Sequence, residues 1–117
     1  MASFYRRSKV FLLCSINEGL SLACMEAMAC GAPVLLSRHV GLAADVRQAG
    51  AGWVVNLDGA GLRDGLAEAA DNPAELAARG VAARELARER FTWPRIAEEW
   101  AVVYERLSSK RAACCCL

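Results

Sequence analysis

The sequence predicts an α/β fold, and three observations predict it. Two short apolar runs without polar alternation, Val10 to Leu13 and Pro33 to Leu36, read as strands covered on both faces of a parallel sheet. The segment between them, Ser21 to Cys30, is rich in Ala, Leu and Met and is helical by propensity. A further apolar run, Gly52 to Val55, follows a second helical stretch, so strand and helix alternate along the chain. About three parallel strands with helices are expected, closing with two longer helices.

Taken in order, Met1 to Ser8 reads as the end of a helix that packs ahead of the first strand, with Phe4 and Tyr5 as its apolar residues. The opening looks cut off, because doubly wound sheets usually have more than three strands. Glu18 and Gly19 fall in the turn after the first strand, and Glu26 on the second turn of the helix from Ser21. Ser37 to Gly41 is a loop. Leu42 to Ala49 is a short helix ended by Gly50 and Gly52, both suited to a C-terminal cap. Asn56, Asp58 and Gly59 make a turn, and Leu62, Leu66 and Ala69 share one face of the next helix. Asp71-Asn72-Pro73 stops that helix and starts another, since Pro is tolerated in a first turn.

The helix from Ala74 to Arg90 carries Leu76, Val81, Ala83 and Leu86 on its inner side, and Gly80 weakens its middle by about 1 kcal/mol relative to Ala. Thr92-Trp93-Pro94 is a start signal for a last helix to about Ser108, Thr as cap and Pro in the first turn. Its apolar residues Ile96, Trp100, Val103, Tyr104 and Leu107 recur every three or four positions, a stripe expected to pack into the core. Residues 1–110 form the folded part. Residues 111–117, ending Cys114-Cys115-Cys116-Leu117, read as a disordered cysteine-rich tail.

Composition excludes several classes of function. With 117 residues, 56% hydrophobic and 23% charged, the chain is one ordinary globular domain at most. A net charge of +1 without a basic cluster argues against nucleic acid as a partner. The apolar run from Val10 is too short for a signal peptide, and Glu26 and Arg38 interrupt the most hydrophobic third, so no membrane-spanning segment is expected. A cytoplasmic location follows as the expectation, and attachment at the periphery of a membrane is compatible with it. Cys14, Cys24 and Cys30 sit inside apolar elements, where a thiol behaves as a small hydrophobe. No metal ligand set is expected.

The chemistry concentrates at the start of the Ser21 helix. In a β-α-β unit the helix N-terminus lies at the carboxyl edge of the sheet, where open α/β folds bind ligands. Its first N–H groups lack helical partners, so Gly19 to Ala23 can hydrogen-bond phosphate oxygens without a lysine. Glu18 and Glu26 flank that anion site. A carboxylate beside a bound diphosphate repels it unless it meets hydroxyl donors, which makes sugar hydroxyls the natural partners of both acids. By spacing alone, two acids near a helix start are also accounted for by solvation and by the helix dipole.

The residues themselves narrow this. The run E-G-L-S-L-A-C-M-E-A-M-A-C-G-A-P-V from Glu18 to Val34, with seven residues between Glu18 and Glu26, resembles the signature of the GT4 glycosyltransferases of GT-B architecture. The resemblance continues through Ser37 and Val40-Gly41-Leu42, the segment from Ala49 to Val55, Asp71-Asn72-Pro73 and Phe91-Thr92-Trp93. It implies a partial Rossmann-like three-layer unit, the C-terminal part of a GT-B donor-binding domain. It implies a nucleotide-diphosphate sugar as donor substrate, retaining transfer and no cofactor or metal. Glu26 would hold ribose hydroxyls, and Glu18 would contact the donor sugar near the reacting carbon as the catalytic residue. Gly19, Leu20, Ser21 and Leu22 would bind sugar or diphosphate through backbone amides. Ser21 stands where many members have Gly, and its hydroxyl is expected to cap the helix.

The resemblance covers only the later part of one of the two domains of such an enzyme. The isolated chain is therefore expected to show no transfer. A non-catalytic module that binds nucleotide-sugar, or interacts and needs a partner domain, is the alternative, as is a ligand-free relic of the fold. The partners expected are the donor, a complementary Rossmann-like domain, or a second copy joined through the exposed sheet edge.

Overall fold

The computed structural model describes residues 2–114. The elements in chain order are α1 (Ala2–Arg7), β1 (Phe11–Leu13), α2 (Leu22–Ala29), β2 (Val34–Ser37), α3 (Ala43–Ala49), β3 (Gly52–Val55), α4 (Gly59–Asp71), α5 (Pro73–Arg90) and α6 (Trp93–Cys114). The strands form one parallel sheet in the order β1-β2-β3, with Leu12 opposite Leu35 and Leu35 opposite Trp53.

Every residue of β2 is buried, which is why its sequence lacks polar alternation. Val34 and Leu36 pack with Cys24 and Met28 of α2, Val46 of α3, and Ala83, Leu86 and Ala87 of α5. Leu35 faces the other way and packs with Trp53 and Ala69 of α4. Helices on both faces of a three-stranded parallel sheet make the three-layer α/β unit that the sequence predicts.

Local chemistry sets the boundaries. Asp58 caps α4, its carboxylate accepting from the Gly61 N–H at 2.6 Å. Asn72 ends α4 and caps α5 by accepting from the Glu75 N–H at 3.1 Å, with Pro73 in the first turn. On α5, Arg79 pairs with Glu75, donates to the Gly52 carbonyl and lies 4.5 Å over the Trp53 ring, tying α5 to β3.

Four expectations are corrected. The first strand is not covered on both faces, since Leu12 is 45% exposed. Among the described residues β1 pairs only with β2 and is an edge strand. Gly50 is the left-handed cap of α3, with φ 64°, but Gly52 belongs to β3. Val81 points outward from α5, and Gly80 takes its place on the inner side because the backbone of Gly31 comes so close there. The stripe on α6 is not core: Trp100, Val103, Tyr104 and Leu107 are exposed and only Ile96 is half-buried, as α6 extends away from the rest of the molecule beyond its first turns. The tail expected from 111 to 117 reaches past the described residues, and α6 runs to Cys114.

No described helix is long and apolar enough to cross a membrane. Cys24 is fully buried, and burial pushes its thiol up to about 12. It is therefore expected to resist alkylation in the native protein at mildly alkaline pH, while Cys14 and Cys30, both partly exposed, react first. A raised thiol contributes stability that is complete below the unfolded-state value near 9 and declines as pH rises from there toward 12. Mass spectrometry after timed labelling with and without denaturant checks this, and native labelling of Cys24 at the rate of Cys30 would contradict it.

Candidate functional site

Ser21 has the extended backbone of an N-cap, and its hydroxyl accepts from the Cys24 N–H at 3.4 Å. The first helical bond of α2 runs from the Met25 N–H to the Ser21 carbonyl at 3.1 Å. The N–H groups of Leu22 and Ala23, one step inside, are the orphan donors that every helix start leaves. Leu20 and Leu22 are each 67% exposed, so this N-terminus opens to solvent beyond the carboxyl edge of the sheet. Partial positive charge from the aligned peptides is concentrated there.

The loop ahead of α2 is held by its neighbour. Glu18 forms an isolated parallel bridge with Val40, and the Gly41 N–H donates to the Glu18 carbonyl at 2.7 Å. Ser37, the one buried polar residue among the described residues, donates its hydroxyl to the Ser15 carbonyl at 2.5 Å and fixes the start of the same loop. A Cβ at Gly41 would stand 2.7 Å from the Gly19 carbonyl oxygen, so only glycine lets the two loops touch. Neither Ser37 nor Gly41 stands out in the sequence as a support of the Glu18 loop, although both follow the second strand directly. Gly19 differs: a Cβ there would meet nothing within 4 Å, and nothing inside the chain demands a glycine.

The two acids are arranged differently. Glu18 is half-buried and its backbone is anchored, whereas Glu26 is exposed on α2. Glu26 borders two cavities of about 300 Å³ each. One lies toward α5 and α6, with Met25, Phe91 and Trp93, and the other toward α1, with Tyr5 and Cys30. Glu18 borders neither. The structure thus brings Gly19, Leu20, Ser21 and Leu22 together at the helix start with Glu18 ahead of them, and sets Glu26 on the flank of α2 that meets α1. Nothing in the sequence marks Tyr5 as a site residue. It is buried, and burial followed by the neighbouring Glu26 carboxylate raises its pKa above the ordinary tyrosine value. Arg38 and His39, after β2, are exposed. Among the described residues no group of three His, Cys, Asp or Glu could hold a metal ion.

The chain resembles known proteins throughout its length. A family model described as "Glycosyl transferases group 1" matches residues 1–86. The MMP alpha-(1->4)-mannosyltransferase of Mycolicibacterium hassiacum is 34% identical over 116 residues, covering 97% of this chain and 28% of that protein. The D-inositol 3-phosphate glycosyltransferase 2 of Catenulispora acidiphila is 36% identical over 107 residues, 91% of this chain and 25% of that protein. Among solved structures, sucrose-phosphate synthase from Thermosynechococcus elongatus superposes with a TM-score of 0.80 at 30% identity, over 92% of this chain and 27% of that one. The chain spans about a quarter of the length of the relatives it matches.

Proposed function

The chain belongs to the group 1 glycosyltransferases, and from that premise we propose that it is the donor-binding segment of a retaining glycosyltransferase, taking a nucleotide-diphosphate sugar at the N-terminus of α2. The observation that carries this is an exposed helix start with the orphan amides of Leu22 and Ala23, set between Glu18 and Glu26.

The donor's diphosphate lies against the amides from Gly19 to Leu22, where the helix dipole favours negative charge. Open space around Gly19 leaves room for that approach. As the bond to the departing nucleotide breaks, charge grows on the diphosphate, and fixed amides aimed at it lower the barrier without having to reorganise. Glu26 accepts hydrogen bonds from the ribose hydroxyls. Glu18, its backbone pinned by Gly41, contacts the donor sugar near the reacting carbon and is the residue proposed to act in catalysis. The chain alone binds the donor, and transfer requires the acceptor-binding wall of a full-length enzyme, because orientation of both substrates supplies much of such a rate.

Calorimetric titration of the purified chain with nucleotide-diphosphate sugars tests the reading. Binding in the millimolar range or tighter is expected, weakened about tenfold in Glu26→Ala, the loss expected for hydrogen bonds to a charged group. Affinities in Glu18→Ala and Glu26→Ala both equal to that of the wild type would sink it.

A further inference from the structure

Tyr5 lies outside every element so far given a role in binding, yet it is buried with Ala27 and Ala32 under the flank of α2 that carries Glu26. Its ring is held on two sides, edge-on to Phe4 at 6.2 Å and to Phe11 at 6.0 Å between centroids. The ring therefore has a fixed position, and Tyr5 lines, with Ala2, Glu26, Ala29 and Cys30, a cavity of about 300 Å³. Glu26, by contrast, is an exposed side chain on a helix surface, with no salt-bridge partner among the described residues to choose a rotamer for it.

We propose that Tyr5 is a positioning residue for Glu26, its buried phenol holding the carboxylate on the α1 side of α2 in the orientation that receives the ribose hydroxyls. The inference rests on the donor-binding reading and deepens it. An ionised carboxylate only accepts hydrogen bonds and has about four lone-pair sites, whereas a phenol donates one. A bond from Tyr5 occupies one site and leaves the others for the two hydroxyls of a ribose. It also settles the Glu26 rotamer before the ligand arrives, so that less side-chain freedom is lost on binding. The titratable groups facing the phenol are Glu26 on α2 and Cys30 at its C-terminal cap, and Glu26 is the stronger influence.

The test uses Tyr5→Phe, which keeps the ring and its packing, in the full chain. Calorimetry with UDP and GDP is expected to show about tenfold weaker binding of whichever nucleotide the wild type takes. Affinity for inorganic pyrophosphate, which reads the helix start alone, is expected to stay unchanged. A merely structural role for Tyr5 would lower both, and equal losses overturn the proposal, as does no loss for either. A second readout needs no ligand. The chain has two tyrosines, and spectroscopic titration of tyrosinate in Tyr104→Phe, where the signal comes from Tyr5 alone, is expected to show it ionising later than an ordinary tyrosine. In Glu26→Gln that delay shortens, and an unaltered delay overturns the contact. Failure of the wild type to bind either nucleotide defeats the donor-binding reading itself, and is distinct from a wild type that binds and a Tyr5→Phe that binds equally well.

Discussion

Gly52→Ala is expected to remove about 3 kcal/mol or more of the protein's stability. Gly52 opens β3 and pairs with Val34 of β2, and a Cβ there would stand 1.8 Å from the Val34 carbonyl oxygen and 2.8 Å from its carbon. Both are backbone atoms in the central, fully buried strand, so no side chain can swing away to make room. The strands must part, breaking the ladder and the contact of Trp53 with Leu35 together. Strain of that kind costs about 3 kcal/mol or more, a large share of the roughly 5 to 15 kcal/mol that keeps a domain folded. Urea unfolding followed by circular dichroism measures it. Gly59→Ala is the matched control, since a Cβ there meets nothing within 4 Å, and its stability should remain within about 0.5 kcal/mol of wild type. Equal midpoints for Gly52→Ala and wild type would refute the close approach of the two strands.

Gly80→Ala carries the second large effect, and its sign separates two arguments. Helix propensity alone says that alanine in the middle of α5 stabilises by about 1 kcal/mol. The packing says the reverse. A Cβ at Gly80 would lie 2.6 Å from the Gly31 carbonyl oxygen and 3.5 Å from Cδ of Pro33. Gly31 itself sits at φ 84°, in the turn that leads from α2 into β2, and has little freedom to retreat. Overpacking against backbone costs about 1 to 3 kcal/mol. The expected net result is destabilisation of about 2 kcal/mol, because the helix must lift off the one face where it meets α2. A thermal midpoint for Gly80→Ala above that of wild type would show that α5 packs more loosely against this turn.

Much of the candidate site is legible in one dimension because it is continuous in sequence. Glu18 through Glu26 spans a loop and a helix start, and an N-cap serine followed by Ala, Cys and Met announces both the helix and its orphan amides. What supports that segment is not continuous with it. Ser37 and Gly41 come from the next strand and loop, about twenty residues on, and they matter only because the parallel pairing of β1 with β2 brings the two loops together. Tyr5 is still less visible. An aromatic in a short helix ahead of a strand reads as packing, and it acquires a polar neighbour only when α1 lies against α2.

Periodicity was a fair guide to which residues are apolar and a poor guide to what covers them. The same three-and-four spacing marks α5, whose Ala83 and Leu86 are buried, and α6, whose Trp100 and Leu107 are exposed. Local sequence therefore determined the strands, the helices, their caps and the amide-rich helix start flanked by two acids, since each depends on groups a few residues apart. The tertiary structure alone decided which apolar stripe is core, why Gly41, Gly52 and Gly80 are glycines, and what anchors the Glu18 loop. Those questions turn on the distance between backbones far apart in the chain, and no local rule contains that distance.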